Sequence, residues 1–267
     1  MLDKTNRLML GPYVLTRTLE PCALAQRWLA LHEVDHGSHV AYRFGSFGQR
    51  SERRRFLGAV EALARLDEVH LLKIEQFAFD QSDTPWAVCP FTGDADGTRT
   101  LDRHLREKDG QLSAFELEPA LNQILLGVRY AHAHRHCHGP IALNEVLVDR
   151  HGRLIIELYG LRRALSGQCG FDADAAQDEV RSVAEIGYQL LTGLRCEEPL
   201  IPVGRLVRRL DPRWDAWFDR ALDLSNGFES ADAALAALPS VATIEVPRRG
   251  SLAVRGVLEL IRPGRSD

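Results

Sequence analysis

Over residues 1–91 the apolar positions come in short, β-prone runs separated by turn-like stretches, at 13–15, 26–31, 39–44, 71–79 and 86–91. Short β-prone runs bounded in this way predict strands. The polar stretch Asp80-Gln81-Ser82-Asp83-Thr84-Pro85 predicts a turn between the last two. One segment breaks that rhythm: over 53–66, Phe56, Val60, Leu63 and Ala64 recur at helical spacing with arginines opposite.

Beyond Gly93 the period changes to that of helices, at 101–107, 116–134, 178–192, 214–224 and 231–238, the second with Leu121, Ile124, Leu125 and Val128 on one face. A hairpin interrupts them: 145–148 and 153–159, joined by Asp149-Arg150-His151-Gly152. The expectation is an α+β fold of two unequal lobes. A five-stranded small lobe with one helix spans 1–91, and a mainly helical large lobe spans 92–239. The tail, 240–267, carries a further hairpin pattern at 243–246 and 252–261. Its turn includes Arg248-Arg249-Gly250-Ser251, a weak match to a basic-directed phosphorylation site.

Composition narrows the chemistry. A net charge of −4 gives no drive toward nucleic acid or an anionic membrane, and no run approaches the ~20 apolar residues of a membrane helix. The opening Met1-Leu2-Asp3-Lys4 lacks the basic and apolar regions of a signal peptide. Five scattered cysteines without a C-x-x-C pair fit reduced thiols, so a cytoplasmic location is expected. Lys4, Lys73 and Lys108 are the only lysines; the arginine bias suggests a GC-rich bacterial source.

Several motifs then fall in one order. Gly11-Pro12-Tyr13 and Val40-Ala41-Tyr42-Arg43 precede Tyr130-Ala131-His132-Ala133, His138, Val146-Leu147-Val148-Asp149, Gly152-Arg153 and Tyr159-Gly160-Leu161. Leu190-Leu191-Thr192-Gly193 and Phe228-Glu229-Ser230-Ala231 follow. In order and spacing this resembles the protein kinase-like superfamily, bacterial Ser/Thr type, over roughly residues 10–239. The resemblance places His138, Tyr159 and Leu63 in a spine joining the lobes, and Ala41 and Leu147 around an adenine pocket. Cys89 falls near the gatekeeper position.

The positions that carry kinase chemistry depart from the pattern. The glycines of the phosphate loop stand as Glu20, Cys22 and Ala25, and the valine covering the adenine is Arg27. The lysine of V-A-I-K is Arg43, whose planar guanidinium is no equivalent at a phosphate site. The glutamate that would hold that lysine is Ala59. In the catalytic loop the aspartate is Pro140, the lysine Ala142 and the metal-binding asparagine Glu145. D-F-G reads Leu158-Tyr159-Gly160, leaving no carboxylate for magnesium. A one-residue slip would bring in Glu157 at the expense of the Tyr159-Gly160 match. About eighteen residues separate Gly160 from Glu179, where the central helix of the family begins with an aspartate. No A-P-E motif lies between, and its usual arginine partner is Gly227.

These losses imply a pseudokinase with no catalytic residues, no ATP or magnesium requirement and no metal site, working as a scaffold or allosteric regulator. Its expected partner is a protein, such as an active kinase or phosphatase. Two alternatives stay open: a residual kinase using Arg43 and Glu145, and a metal-independent nucleotide sensor holding phosphate through Arg43. His132, His134, His136, His138 and Cys137 could suggest a metal site, but the expected helix-to-loop junction would scatter them. The arginines at 50 and 53–55, and Arg205, Arg208 and Arg209, are expected to solvate exposed faces. Trp214 and Trp217 share a helix face, expected in the core, with partner docking the minority reading.

Overall fold

The computed structural model describes residues 8–95, 97–108 and 110–239, so the tail hairpin and the motif around Ser251 lie outside the described residues. The small lobe is an antiparallel sheet of β1 (Met9–Leu10), β2 (Tyr13–Thr18), β3 (Ala25–His32), β4 (Ser38–Phe44), β5 (Gln76–Phe79) and β6 (Pro85–Pro90), with α1 (Arg50–Ala64) between β4 and β5. Strand order is β1-β2-β3-β4-β6-β5. The sixth strand, β1, is two residues long, too short to show a period. Of the 71–79 run only its end is strand, because the Leu72 amide pairs with the Ile156 carbonyl in the other lobe (2.9 Å).

Period two divides the sheet into two faces. Leu10, Tyr13, Leu15, Ala30, Ala41, Trp86 and Val88 form a small core on the outer face. Val40, Tyr42, Phe44, Ala87 and Cys89 face inward and join the main core. Helix α1 begins in a capping box, the Gln49 amide donating to the Glu52 carboxylate (3.0 Å). It seats Phe56 edge-on against Phe44 and Phe79. Part of its basic run is structural: Arg53 lies over the Phe79 ring (4.6 Å) and Arg55 donates to the Leu165 carbonyl (3.0 Å). Arg50 and Arg54 are exposed.

The large lobe runs α2 (Leu101–Glu107), α3 (Ala114–Ala133), a 3-10 turn (Leu143–Glu145), β7 (Val146–Val148), β8 (Leu154–Ile156), α4 (Leu161–Leu165), α5 (Ala173–Thr192), α6 (Val203–Leu206), α7 (Arg213–Leu222) and α8 (Ala231–Ala237). Helix α5 starts earlier than its apolar period indicates because the Asp172 side chain caps it, accepting from the Ala175 amide (3.1 Å). Trp214, Trp217 and Phe218 are buried, and the Trp217 indole donates to the Ala234 carbonyl (3.1 Å), so the aromatic face of α7 is core. Arg205, Arg208 and Arg209 are exposed. Among the described residues no helix is long and apolar enough to cross a membrane.

Truncating an aromatic in this core leaves a cavity. Trp214→Ala should cost about 3–5 kcal/mol, read as a lower urea midpoint, while Arg208→Ala should stay within about 0.5 kcal/mol of the parent.

Candidate functional site

Between the lobes, β3 and β4 pair so that Arg27 stands opposite Tyr42 on the inner face. Arg27 is 2% exposed and Glu157, just beyond β8, 5%. Arg27 Nε donates to Glu157 Oε1 at 2.7 Å, and its Nη2 donates to Oε2 in a fork-to-fork pair. The Tyr42 hydroxyl donates to Oε1 (2.6 Å), and Arg27 Nη1 donates to the Glu20 carbonyl (3.0 Å). Burial opposes the Arg27 charge, yet the hydrogen bonds and charge of Glu157 together outweigh it and hold the guanidinium above its ordinary pKa. Burial, then the Glu157 charge, raises the Tyr42 hydroxyl well above its usual value and likewise keeps the Cys22 and Cys89 thiols protonated.

The residues expected to form the nucleotide site are distributed otherwise. Glu20 is exposed, Cys22 is half-buried and Ala25 opens β3. The loop closes as a tight turn, the Cys22 amide donating to the Ala25 carbonyl (3.0 Å). Leu19, Val40, Cys89 and Leu147 are buried in the main core. Arg43 does not enter the cleft. It points to the other face and pairs with Asp80 in the β5–β6 turn (2.9 Å), as the alternation of β4 requires. Ala41 goes with it to the outer core, against the expectation that it lines an adenine pocket. The inward pair on β4 is Val40 and Tyr42, so Tyr42 and not Arg43 is the side chain of that motif that faces the cleft.

Ala59 lies on the inner face of α1, one turn before Leu63. Pro140 and Ala142 are exposed. Glu145 pairs with Arg162 (2.5 Å) and accepts from the Ala142 amide (3.0 Å), so its carboxylate is committed within the loop. Leu158 is buried in a left-handed conformation (φ 43°). At Gly160 (φ 68°) a Cβ would lie 2.8 Å from the Cys137 carbonyl, so only glycine fits there. Helix α4 follows directly and packs on α1.

A second buried acid organises the catalytic-loop backbone. Glu179, on α5, accepts from the His138 amide (2.8 Å), the Gly139 amide (3.3 Å) and the Tyr159 hydroxyl (2.5 Å). His132 Nε2 stands 3.3 Å from it, and the Tyr159 ring meets His138 edge-on at 5.4 Å. Of the histidines in the 132–138 stretch, His132 alone converges with Cys137 and Glu179, their ligand atoms lying within 4.8 Å of one another. Two backbone amides and a phenol already use the Glu179 oxygens, which makes the cluster an anchor for the loop; His134 instead stacks on Tyr130.

The family model described as protein tyrosine and serine/threonine kinase matches residues 27–181. The fold superimposes on two crystal structures of the Mycobacterium tuberculosis PknI kinase domain. Each has a TM-score of 0.69 and covers 88% of this chain and 98% of the other, at 19% and 18% identity. No curated protein matches the chain.

The site residues that motif reading missed are Tyr42 and the pairing of Arg27 with Glu157. Opposite charges at two cleft positions that the pattern expects to be uncharged were the available signal. Breaking the pair strands a buried charge, so Glu157→Gln should cost about 3–5 kcal/mol in chemical denaturation. Replacing the set together (Arg27→Met, Glu157→Leu, Tyr42→Phe) should leave stability equal to or above the parent's.

Proposed function

The chain belongs to the protein tyrosine and serine/threonine kinase family, and from that premise we propose that it acts by binding a protein partner and not by transferring phosphate. The observation that carries this reading is the buried Arg27–Glu157–Tyr42 cluster between the lobes. An adenine entering there would have to separate the ion pair, at about 3–5 kcal/mol, a loss on the order of 10²–10⁴-fold in affinity. The residues present do not fit a magnesium nucleotide. Tyr42 and not Arg43 faces the cleft, Leu158 has no oxygen for the metal, and Glu145 is held by Arg162. Pro140 has no group to orient a substrate hydroxyl.

What the fold retains favours a scaffold or allosteric regulator of a signalling protein, such as an active kinase or phosphatase, in the cytoplasm. The spine pair His138–Tyr159 and the Glu179 anchor keep the large lobe in kinase form. The residual-kinase reading would rest on Glu145 and Glu157, both already engaged. A nucleotide sensor built on Arg43 loses its phosphate contact, since that side chain faces away from the cleft.

Thermal melting decides between these readings. The purified chain should show no shift with millimolar ATP, ADP or GTP, with or without magnesium, because ligand that binds the native state raises Tm. A magnesium-dependent rise would overturn the proposal. In Arg27→Val with Glu157→Thr, which empties the space without supplying catalytic groups, ATP should raise Tm while phosphotransfer stays absent.

A further inference from the structure

Two cysteines from distant parts of the chain line one mainly apolar cavity of about 270 Å³. Helix α1 forms one wall with Gly58, Ala59, Ala62 and Leu63, and the segment after Gly160 forms the opposite one. Cys137, at the entry to the catalytic loop, is buried. Cys169, between α4 and α5, is exposed. The cavity exists because α1 is small-sided here: Gly58, Ala59 and Ala62 leave space that longer side chains would take.

Cys169 sits in a short glycine-flanked turn, with the Gly167 amide donating to the Ala164 carbonyl (3.1 Å) and the Gln168 amide to the Arg163 carbonyl (3.0 Å). Gly167 (φ 90°) and Gly170 (φ 87°) bracket Gln168 and Cys169, and an added Cβ at Gly170 would meet nothing within 4 Å. Each thiol makes one weak contact to a carbonyl, Cys137 Sγ to Asp172 at 3.6 Å and Cys169 Sγ to Ala164 at 3.7 Å. The Cys137 contact is itself to the loop that carries Cys169, three residues further on. A disulfide needs Cα atoms within about 7 Å, and the shared cavity together with the Cys137–Asp172 contact puts the two cysteines on neighbouring segments.

We propose that Cys137 and Cys169 form a reversible disulfide under peroxide, making the segment between α4 and α5 a redox-controlled strap across the cavity. Exposed Cys169 reacts first: as the thiolate, its sulfur attacks hydrogen peroxide and breaks the O–O bond, and the departing hydroxide takes up the proton the thiol released, giving a sulfenic acid and water. The Cys137 sulfur then attacks the Cys169 sulfur, forming the S–S bond. The hydroxyl group leaves and takes up the Cys137 proton as a second water. Two thiols are oxidised and one peroxide is reduced to two waters. The product ties the start of the catalytic loop to the remnant of the activation segment, whose helix α4 packs on α1. This inference stands independently of the partner-binding reading, since its test measures sulfur chemistry alone.

The experiment treats the reduced full chain with a small excess of hydrogen peroxide, alkylates it in denaturant and digests it without reductant. The expected result is one linked peptide pair containing Cys137 and Cys169, with free thiols falling by two from the five in the chain and returning on reduction. Amide exchange over residues 164–172 should slow in the oxidised form. Cys169→Ser, a change at an exposed position, should abolish the linked pair and leave Cys137 fully alkylatable. The proposal is overturned if Cys169 is oxidised to sulfinic acid or cross-links chains while Cys137 stays free, or if Cys137 loses its thiol equally in Cys169→Ser.

Discussion

Between the lobes a guanidinium and a carboxylate have been taken out of water together, and each is tolerable there only because of the other. An isolated charge in so dry a position would cost many kilocalories per mole, whereas the forked pair with a phenol on the same oxygen returns most of it. The geometry is demanding. Arg27 comes from β3, Tyr42 from its neighbour β4, and Glu157 from the turn after β8, so the strand register and the lobe orientation must both be correct for the guanidinium and the phenol to meet on the carboxylate. The tight turn over 19–25 is tied to the pair, because the Glu20 carbonyl accepts from Arg27 Nη1.

Glu179 plays a comparable part deeper in the large lobe, fixing backbone and not a reacting group. Its oxygens collect the amides of His138 and Gly139 and the hydroxyl of Tyr159, while Ser182 one turn on accepts from the Ile141 amide (2.8 Å). The loop therefore keeps a defined path although the side chains it presents, Pro140 and Ala142, have no acid–base chemistry. The anchoring of this loop rests on Glu179, Tyr159 and Ser182 and does not depend on what its exposed side chains can do.

The order of elements was legible because the sequence changes character: short β-prone runs such as 26–31 and 39–44 between turns, then helical recurrence through Leu121, Ile124, Leu125 and Val128. Motif spacing located the hairpin and the Tyr159-Gly160 step. What spacing could not supply was side-chain direction. Val40-Ala41-Tyr42-Arg43 fits the family pattern as written, yet the pleat sends Ala41 and Arg43 outward, and one residue of register decides which side chain meets the cleft. The early start of α5 depended on a cap at Asp172, and β1 was too short to carry any period. The Arg27–Glu157 pair spans most of the domain, and no local pattern announces a contact at that separation.

That separation has a consequence for biosynthesis. Arg27 and Tyr42 leave the ribosome more than a hundred residues before Glu157, and until then the inner face of the small lobe carries a guanidinium with nothing to neutralise it. The sheet cannot close over that charge at low cost, so the amino-terminal strands must wait, partly open, for the hairpin of the large lobe. Contacts of such high sequence separation slow folding and lengthen the interval in which unpaired strand edges are exposed. The same buried charges that fill the mature cleft therefore make the nascent chain dependent on its own later half.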